Sequence, residues 1–250
     1  MDKLMKELRS NLLGNPDVSI IKDALWQLPI VSYEVSFERV KRFKMDILMK
    51  MLLLSFQETE IRRAATLAEM LLVEELFIRD LIDKMERGRL IGLEKNGYKL
   101  TAKGYEHLEK GIFEEGMEEE QIVLFYSAMH DKYLLSAGDA STADEGKLSL
   151  YRYAAEGTVD WDRMLELLSK QEWGSEENFQ IIVTDIADCE ESGTVYVPCI
   201  EFQLYDKKQD IFYSRVWNGL TDSWDETLEK RIEEQEVVAW REAMAETASH

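Results

Sequence analysis

The chain has 250 residues, 45% of them hydrophobic, and 30 lysines and arginines stand against 50 aspartates and glutamates, for a formal net charge of −20. It is long enough to bury a sizeable core and fits about two domains. No run of 18 or more apolar residues marks a transmembrane helix, and so large an acidic excess repels nucleic acid and anionic membrane at long range.

The opening segment, MDKLMKELRSNLL, is charged and amphipathic. It lacks the uninterrupted apolar core and small-residue cleavage site of a signal peptide, so the expected compartment is the cytoplasm. Leu4–Leu13 reads as a short helix ended by Gly14-Asn15-Pro16, and Val18–Trp26 as a further turn or two of helix. Val31, Tyr33, Val35 and Phe37 alternate with Ser32, Glu34, Ser36 and Glu38, the period of a half-buried strand.

From Lys44 to Phe56 the apolar residues Met45, Leu48, Met49, Leu52, Leu53 and Phe56 follow the rhythm of a helix with one buried stripe. A second helix runs through Ala64–Leu72 with Leu67, Met70 and Leu71 inward, and Val73 marks a tight turn. A third carries Leu76, Ile78, Leu81, Ile82 and Met85 as its apolar positions, and Gly88 stands where a left-handed residue would end it. Leu90, Ile91 and Leu93 form a strand. Asn96-Gly97 signals a hairpin with a type I′ turn, and Tyr98, Lys99 and Leu100 return. Thr101 caps a fourth helix.

Three helices, a two-stranded hairpin and the closing run Leu100-Thr101-Ala102-Lys103-Gly104 resemble winged helix-turn-helix regulators of the bacterial and archaeal type. The resemblance covers residues 45–110 only. It implies that the third helix enters the major groove and that the wing touches the phosphate backbone. The groove-facing residues would then be Glu74, Glu75, Phe77, Arg79, Asp80, Asp83 and Lys84. The wing and its flanks would present Arg87, Arg89, Lys95, Asn96, Lys99 and Lys103 to nucleic acid or to a partner. Arg39, Lys41, Arg42 and Lys44 precede the first of these helices.

The third helix departs from that pattern. Glu74, Glu75, Asp80 and Asp83 oppose only Arg79 and Lys84. Carboxylates held against phosphates forfeit the counterion release that supplies most non-specific DNA affinity. Apportioned along the chain, residues 1–35 carry a charge of −1, residues 36–111 of +2 and residues 112–250 of −21. The acid therefore lies towards the C-terminal end, where it suits a basic protein partner.

After the fourth helix, Glu114–Glu120 reads as an acidic connector. Gln121–Ser127 and Lys132–Ser136 form two strands around a polar turn at His130-Asp131, and Gly138–Gly146 is a loop of small and acidic residues. A helix carrying Trp161, Met164, Leu165, Leu167 and Leu168 begins near Thr158. Alternating residues over 179–186, 195–204 and 211–217 make an antiparallel meander with turns at Glu190-Glu191-Ser192-Gly193 and Lys207–Asp210. A long amphipathic helix over Asp222–Ala245, with Leu228, Ile232, Val238 and Met244 as apolar members, covers one face of that sheet. Trp217, Trp224, Trp240, Tyr205 and Tyr213 fill the core.

Chemistry-bearing constellations are few. His107, His130 and His250 have no metal-ligand spacing, and Cys189 and Cys199, without CxxC, make no zinc site; they read as two small buried hydrophobes. There is no phosphate-cradling glycine loop and no GxSxG elbow. Asp185, with Glu201 and Gln203 on the next strand, has the order of a metal-dependent nuclease site, with Gln203 where lysine is expected; Glu201 is expected instead on the solvent face or beside Lys208.

The fold expected is α+β, an N-terminal winged helix-turn-helix plus an acidic antiparallel-sheet domain with covering helices. Its parts are residues 1–38 (helix and strand leading into the core), 39–112 (winged helix) and 113–250 (acidic domain). The function expected is that of a non-enzymatic accessory or regulatory subunit, without catalytic residues, metal or cofactor, that docks a protein partner and does not bind membrane. The alternative is a regulator of transcription that binds double-stranded DNA through its wing and carries a C-terminal effector or dimerisation domain.

Overall fold

The structure is a computed structural model that describes residues 2–138, 148–155, 157–176 and 178–248. In chain order its elements are α1 (Asp2–Leu12), β1 (Val18–Lys44), α2 (Ile47–Glu58), α3 (Ala64–Leu71), α4 (Glu75–Arg87), β2 (Ile91–Glu94), β3 (Gly97–Leu100), α5 (Ala102–Lys110) and β4 (Ile112–Gly116). There follow β5 (Glu120–Ser127), β6 (Lys132–Leu134), β7 (Ser149–Leu150), α6 (Trp161–Ser169), β8 (Ser175–Glu176), β9 (Phe179–Asp206), β10 (Ile211–Asn218), β11 (Ser223–Trp224) and α7 (Glu226–Ala248). The mixture of helices with an antiparallel sheet makes the chain α+β. No helix among the described residues is long and apolar enough to cross a membrane.

Two compact units divide the chain: Met1–Val35, Ile122–Asp160 and Cys189–His250 form one, Ser36–Gln121 and Trp161–Asp188 the other. These boundaries are not those expected at 38 and 112. The C-terminal stretch expected as one acidic domain is shared between both units, because β9 passes from one into the other.

In the first unit the strands lie in the order β11-β10-β9-β1-β5-β6. Val18–Trp26, expected as helix, is instead the start of β1. Its burial does not alternate cleanly, because Val18 and Ile20 enter one core with Phe202 and Leu204 while Trp26, Leu28 and Ile30 enter another with Val197, Cys199 and Val216. Ser19 donates to the Tyr205 carbonyl and Ser32 to that of Gly193, so β9 runs antiparallel to β1. The turn expected at Glu190–Gly193 therefore does not exist: those residues are mid-strand in β9, and the Gly193 carbonyl is used by Ser32. The turn at Lys207–Asp210 is present, its chain reversal fixed by Asp206, which accepts from the backbone of Lys208 and Gln209. Helix α7 packs on β10 as expected, with Leu228 and Ile232 buried, whereas Val238 and Met244 are exposed. Trp217 and Trp224 meet edge to face at 5.4 Å.

In the second unit α2 to α5 and the β2–β3 hairpin enclose a core of Met45, Met49, Leu52, Leu53, Phe56, Leu67, Ile78, Ile82, Met85, Leu90 and Ile91. Asp46 caps α2 by accepting from the Leu48 amide at 2.8 Å. Thr101 caps α5 by accepting from Gly104 at 3.0 Å, as the sequence predicts. Residues 18–44 are one long strand, so the N-terminal region is not the start of a winged helix, and Arg39, Lys41, Arg42 and Lys44 are strand residues. Glu114 and Glu115, expected in a connector, lie on β4, whose register pairs Arg42 with Glu114 and Lys41 with Glu115. That pairing sets unlike charges opposite one another.

The hairpin turn and the α4 terminus depart from expectation in backbone detail. The register pairs Glu94 with Gly97, so the central turn residues are Lys95 and Asn96 rather than Asn96 and Gly97. Of the three, only Gly97 has positive φ, at 133°. A Cβ there would lie 2.5 Å from the Ile61 carbonyl oxygen, which accepts from the next amide, Tyr98. Gly88 is right-handed; the left-handed residue after α4 is Arg89, at φ 56°.

Candidate interaction surfaces and the buried charge cluster

The α3–α4 junction exposes apolar side chains that no element of its unit covers. The run Met70-Leu71-Leu72-Val73 puts four apolar residues in succession, more than one helical face can bury. Leu72 ends α3 in the left-handed conformation, φ 54°, and is 93% exposed. On α4, Ile78, Leu81, Ile82 and Met85 turn inward, which leaves Leu76 (68% exposed) and Phe77 (52% exposed) on the outer face. Met70, expected inward, and Leu76, read as one of the apolar positions of the third helix, therefore face solvent. Glu74, Leu76, Phe77, Arg79, Asp80 and Asp83 border an open recess of about 460 Å³.

The charges on this face are unequally engaged. Arg79 donates to Glu75 one turn back at 2.6 Å, so its charge is answered within the helix. Lys84 is turned towards β4: it lies 3.9 Å from Glu115 and 5.0 Å from the centre of the Phe113 ring. Glu74, Asp80 and Asp83 remain exposed, which makes the recess acidic around an apolar centre.

Along the hairpin, Lys95 and Asn96 sit at the tip. Asn96 donates to Glu60 at 3.1 Å and its carbonyl accepts from Arg62 at 3.2 Å, while Lys99 pairs with Glu94 at 3.1 Å. Arg87, Arg89 and Lys103 are exposed at the end of α4, beyond it and on α5. The Arg89 carbonyl accepts from the Thr101 hydroxyl at 2.6 Å, which joins the α4 terminus to the α5 cap.

Close by in sequence, His107 on α5 is buried. Its Nε2 lies 3.5 Å from Glu114, and its Nδ1 has no partner among the described residues. Burial lowers its pKa below the ordinary histidine value, against the pull of Glu114.

In the first unit the sequence brings together residues that no local pattern connects. Glu201 is 6% exposed, on the β9 face that α7 covers. It accepts from the Trp26 indole at 2.7 Å and from both terminal nitrogens of Arg152 at 2.8 and 2.9 Å. The Arg152 Nε also pairs with Glu236 of α7, which accepts from the Tyr153 hydroxyl at 2.6 Å and from the Trp240 indole at 3.2 Å. Burial opposes the charge on Arg152, but the hydrogen bonds to Glu201 and Glu236 outweigh it and raise its pKa. Burial likewise works against the Glu236 carboxylate, and Arg152 and Tyr153 overcome it, so that its pKa is lowered. A cleft of about 560 Å³ adjoins this cluster, bordered by Lys22, Trp26, Ser149, Gln203 and Trp240 among others.

This geometry corrects two expectations. Glu201 is neither on the solvent face nor beside Lys208, and its oxygens are taken by Arg152 and Trp26. Asp185 is exposed in the second unit, where it accepts from the Ile186 amide at 2.8 Å. The nuclease arrangement of Asp185, Glu201 and Gln203 is not assembled. Among the described residues no group of three or more His, Cys, Asp or Glu side chains could hold a metal ion.

A second polar group of the first unit contains His130. Its Nε2 lies 2.8 Å from Asp225 and its Nδ1 2.7 Å from the Ser127 hydroxyl. A carboxylate only accepts, so the ring donates from Nε2 to Asp225. Asp225 also accepts from Asn218 at 2.7 Å and from the Leu228 amide at 3.1 Å, capping α7. Ser127 is buried, so the group acts as a strut between the β5–β6 turn and the start of α7. Cys199 is buried and Cys189 half-buried; neither forms a disulfide, and burial pushes the Cys199 thiol up to about 12. The loop expected over Gly138–Gly146 lies, apart from Gly138, outside the described residues, as does His250.

Comparison with protein-family models, with curated proteins and with solved structures gave no match to this chain.

Proposed function

We propose that α2 to α5 and the β2–β3 hairpin form a winged helix-turn-helix module, and that the chain is a non-enzymatic accessory or regulatory subunit which docks a protein through the outer face of α4. The order helix, helix, helix, hairpin, helix over residues 47–110 supports the first part. The observation that carries the second is the acidic recess around Leu76 and Phe77. A DNA-reading helix gains its affinity from cations beside phosphates. Here one cation of the face, Arg79, is committed to Glu75, and the other, Lys84, to β4. Exposed aromatic and aliphatic side chains ringed by carboxylates fit the centre and rim of a protein interface. Their counterpart is a basic amphipathic segment that lays its apolar side on Phe77 and Leu76 and its lysines or arginines against Glu74, Asp80 and Asp83.

The exposed Arg89, Lys95 and Lys103 favour the second reading, a regulator that contacts DNA through its wing. Titration with a labelled lysine-rich amphipathic helical peptide separates the two. The docking reading expects saturable binding that Phe77→Asp abolishes and that Lys95→Glu leaves intact or strengthens. Binding unchanged by Phe77→Asp, or none at all, counts against it.

A further inference from the structure

The second unit carries another uncovered apolar face, and its electrostatic character differs from that of α4. On α2, Met49, Leu52, Leu53 and Phe56 enter the core. A rotation of about 100° per residue brings Ile47, Met51, Leu54 and Glu58 into one row along the other side. Ile47 is 75% exposed, Met51 44% and Leu54 42%. No charge interrupts the three apolar members. Ser55 beside them is internally satisfied, its hydroxyl donating to the Met51 carbonyl at 2.8 Å. Within the helix the charges are one of each sign, Lys50 near its start and Glu58 at its end, both exposed, and the carboxylate of the N-cap Asp46 is engaged by the Leu48 amide.

We infer that this row pairs with the same row of a second copy of the chain, the two α2 helices running antiparallel about a two-fold axis between Met51 and Leu54. The occupant is fixed by charge. A face with a cation towards one end and an anion at the other is self-complementary under a two-fold operation, because each Lys50 comes within a turn's length of the other copy's Glu58. The α4 recess cannot pair with itself in this way, since it would set carboxylates against carboxylates. In an antiparallel pair Met51 of each copy packs on Leu54 of the other, and Ile47 covers the apolar stem of Glu58. Three apolar side chains per copy fall short of the area, roughly 1,200 Å² or more, that stable interfaces bury, so the dimer dissociates on dilution. This inference uses none of the residues of the α4 docking face, and either stands without the other.

Sedimentation of the full chain over a concentration series tests it. The expected result is a reversible monomer–dimer equilibrium. Met51→Glu, which buries a charge at the pair's centre, weakens association at least about tenfold. Lys50→Glu weakens it by setting a carboxylate against the other copy's Glu58, and adding Glu58→Lys restores it, with thermal melts unchanged throughout as the control for folding. A single species of one-chain mass at every concentration overturns the inference. So does a dimer indifferent to Met51→Glu, or a double variant no better than Lys50→Glu alone.

Discussion

Arg152 forks onto Glu201, its two terminal nitrogens 2.8 and 2.9 Å from the two carboxylate oxygens, across 49 residues of sequence. The pair ties the short segment around β7 to the C-terminal part of β9, and Glu236 extends the tie to α7. Removing the cation alone leaves Glu201 buried and uncompensated. Arg152→Met is therefore expected to destabilise the chain by about 3 kcal/mol, the low end for a broken buried pair, because the guanidinium keeps some solvent contact. Glu201→Gln in the same chain removes the stranded charge while keeping an acceptor for the Trp26 indole, and should recover at least half of the loss. Thermal melts of the single and double variants check this; a double variant no more stable than the single one would show that charge burial is not the cause.

Gly104 is held by close approach rather than by its backbone angle. A Cβ at this position would stand 2.0 Å from the Leu90 carbonyl oxygen, which is itself fixed by accepting from the Thr101 amide. Gly104→Ala must push α5 away from the start of β2, at a cost of about 1–3 kcal/mol. The urea midpoint should fall accordingly. An unchanged midpoint would mean that α5 is not seated as described.

His107 makes stability depend on pH. Its folded pKa is depressed by burial, so the unfolded chain takes up a proton more readily than the folded one. The stabilisation is complete above the ordinary histidine pKa, about 6.5, and is lost progressively as pH falls through the folded value. The melting temperature should therefore decline on acidification below about pH 6.5, before carboxylates titrate. His107→Leu should flatten the decline in that window, as read from melts across the series.

Much of the helical region is legible in the sequence because its signals are local. The buried stripe of α2, the Thr101 cap and the placement of the β2–β3 hairpin need only neighbours within a few residues. Where backbone approach decides, local signals mislead: Gly97 serves the contact with Ile61 rather than the turn, and Arg89, not Gly88, turns left-handed after α4. The long strands mislead for a related reason. Val18–Trp26 lacks a clean alternation because both of its sides meet protein, and Glu190–Gly193 looks like a turn although β1 supplies its partners. The Arg152 cluster has no readable signal, since Trp26 lies 175 residues from Glu201. The exposed α3–α4 face has one, the apolar run at 70–73, which no single helical face could bury.

The wing provides a control on the docking reading. Lys95 sits at the hairpin tip and Lys99 is paired with Glu94 on the surface, so charge reversal at both should change stability by no more than about 0.5 kcal/mol. Lys95→Glu with Lys99→Glu is thus expected to melt like the parent chain and to bind the basic peptide at least as well, which calorimetry and the peptide titration report together.

The most direct measurement is a titration of labelled duplex DNA with the full chain at low salt, repeated as salt is raised. An acidic α4 face and a net charge of −20 lead us to expect no saturable binding at any salt. Tight binding that falls steeply with salt and disappears in the Lys95→Glu, Lys99→Glu variant would contradict protein docking as the primary role and establish the wing as a DNA contact.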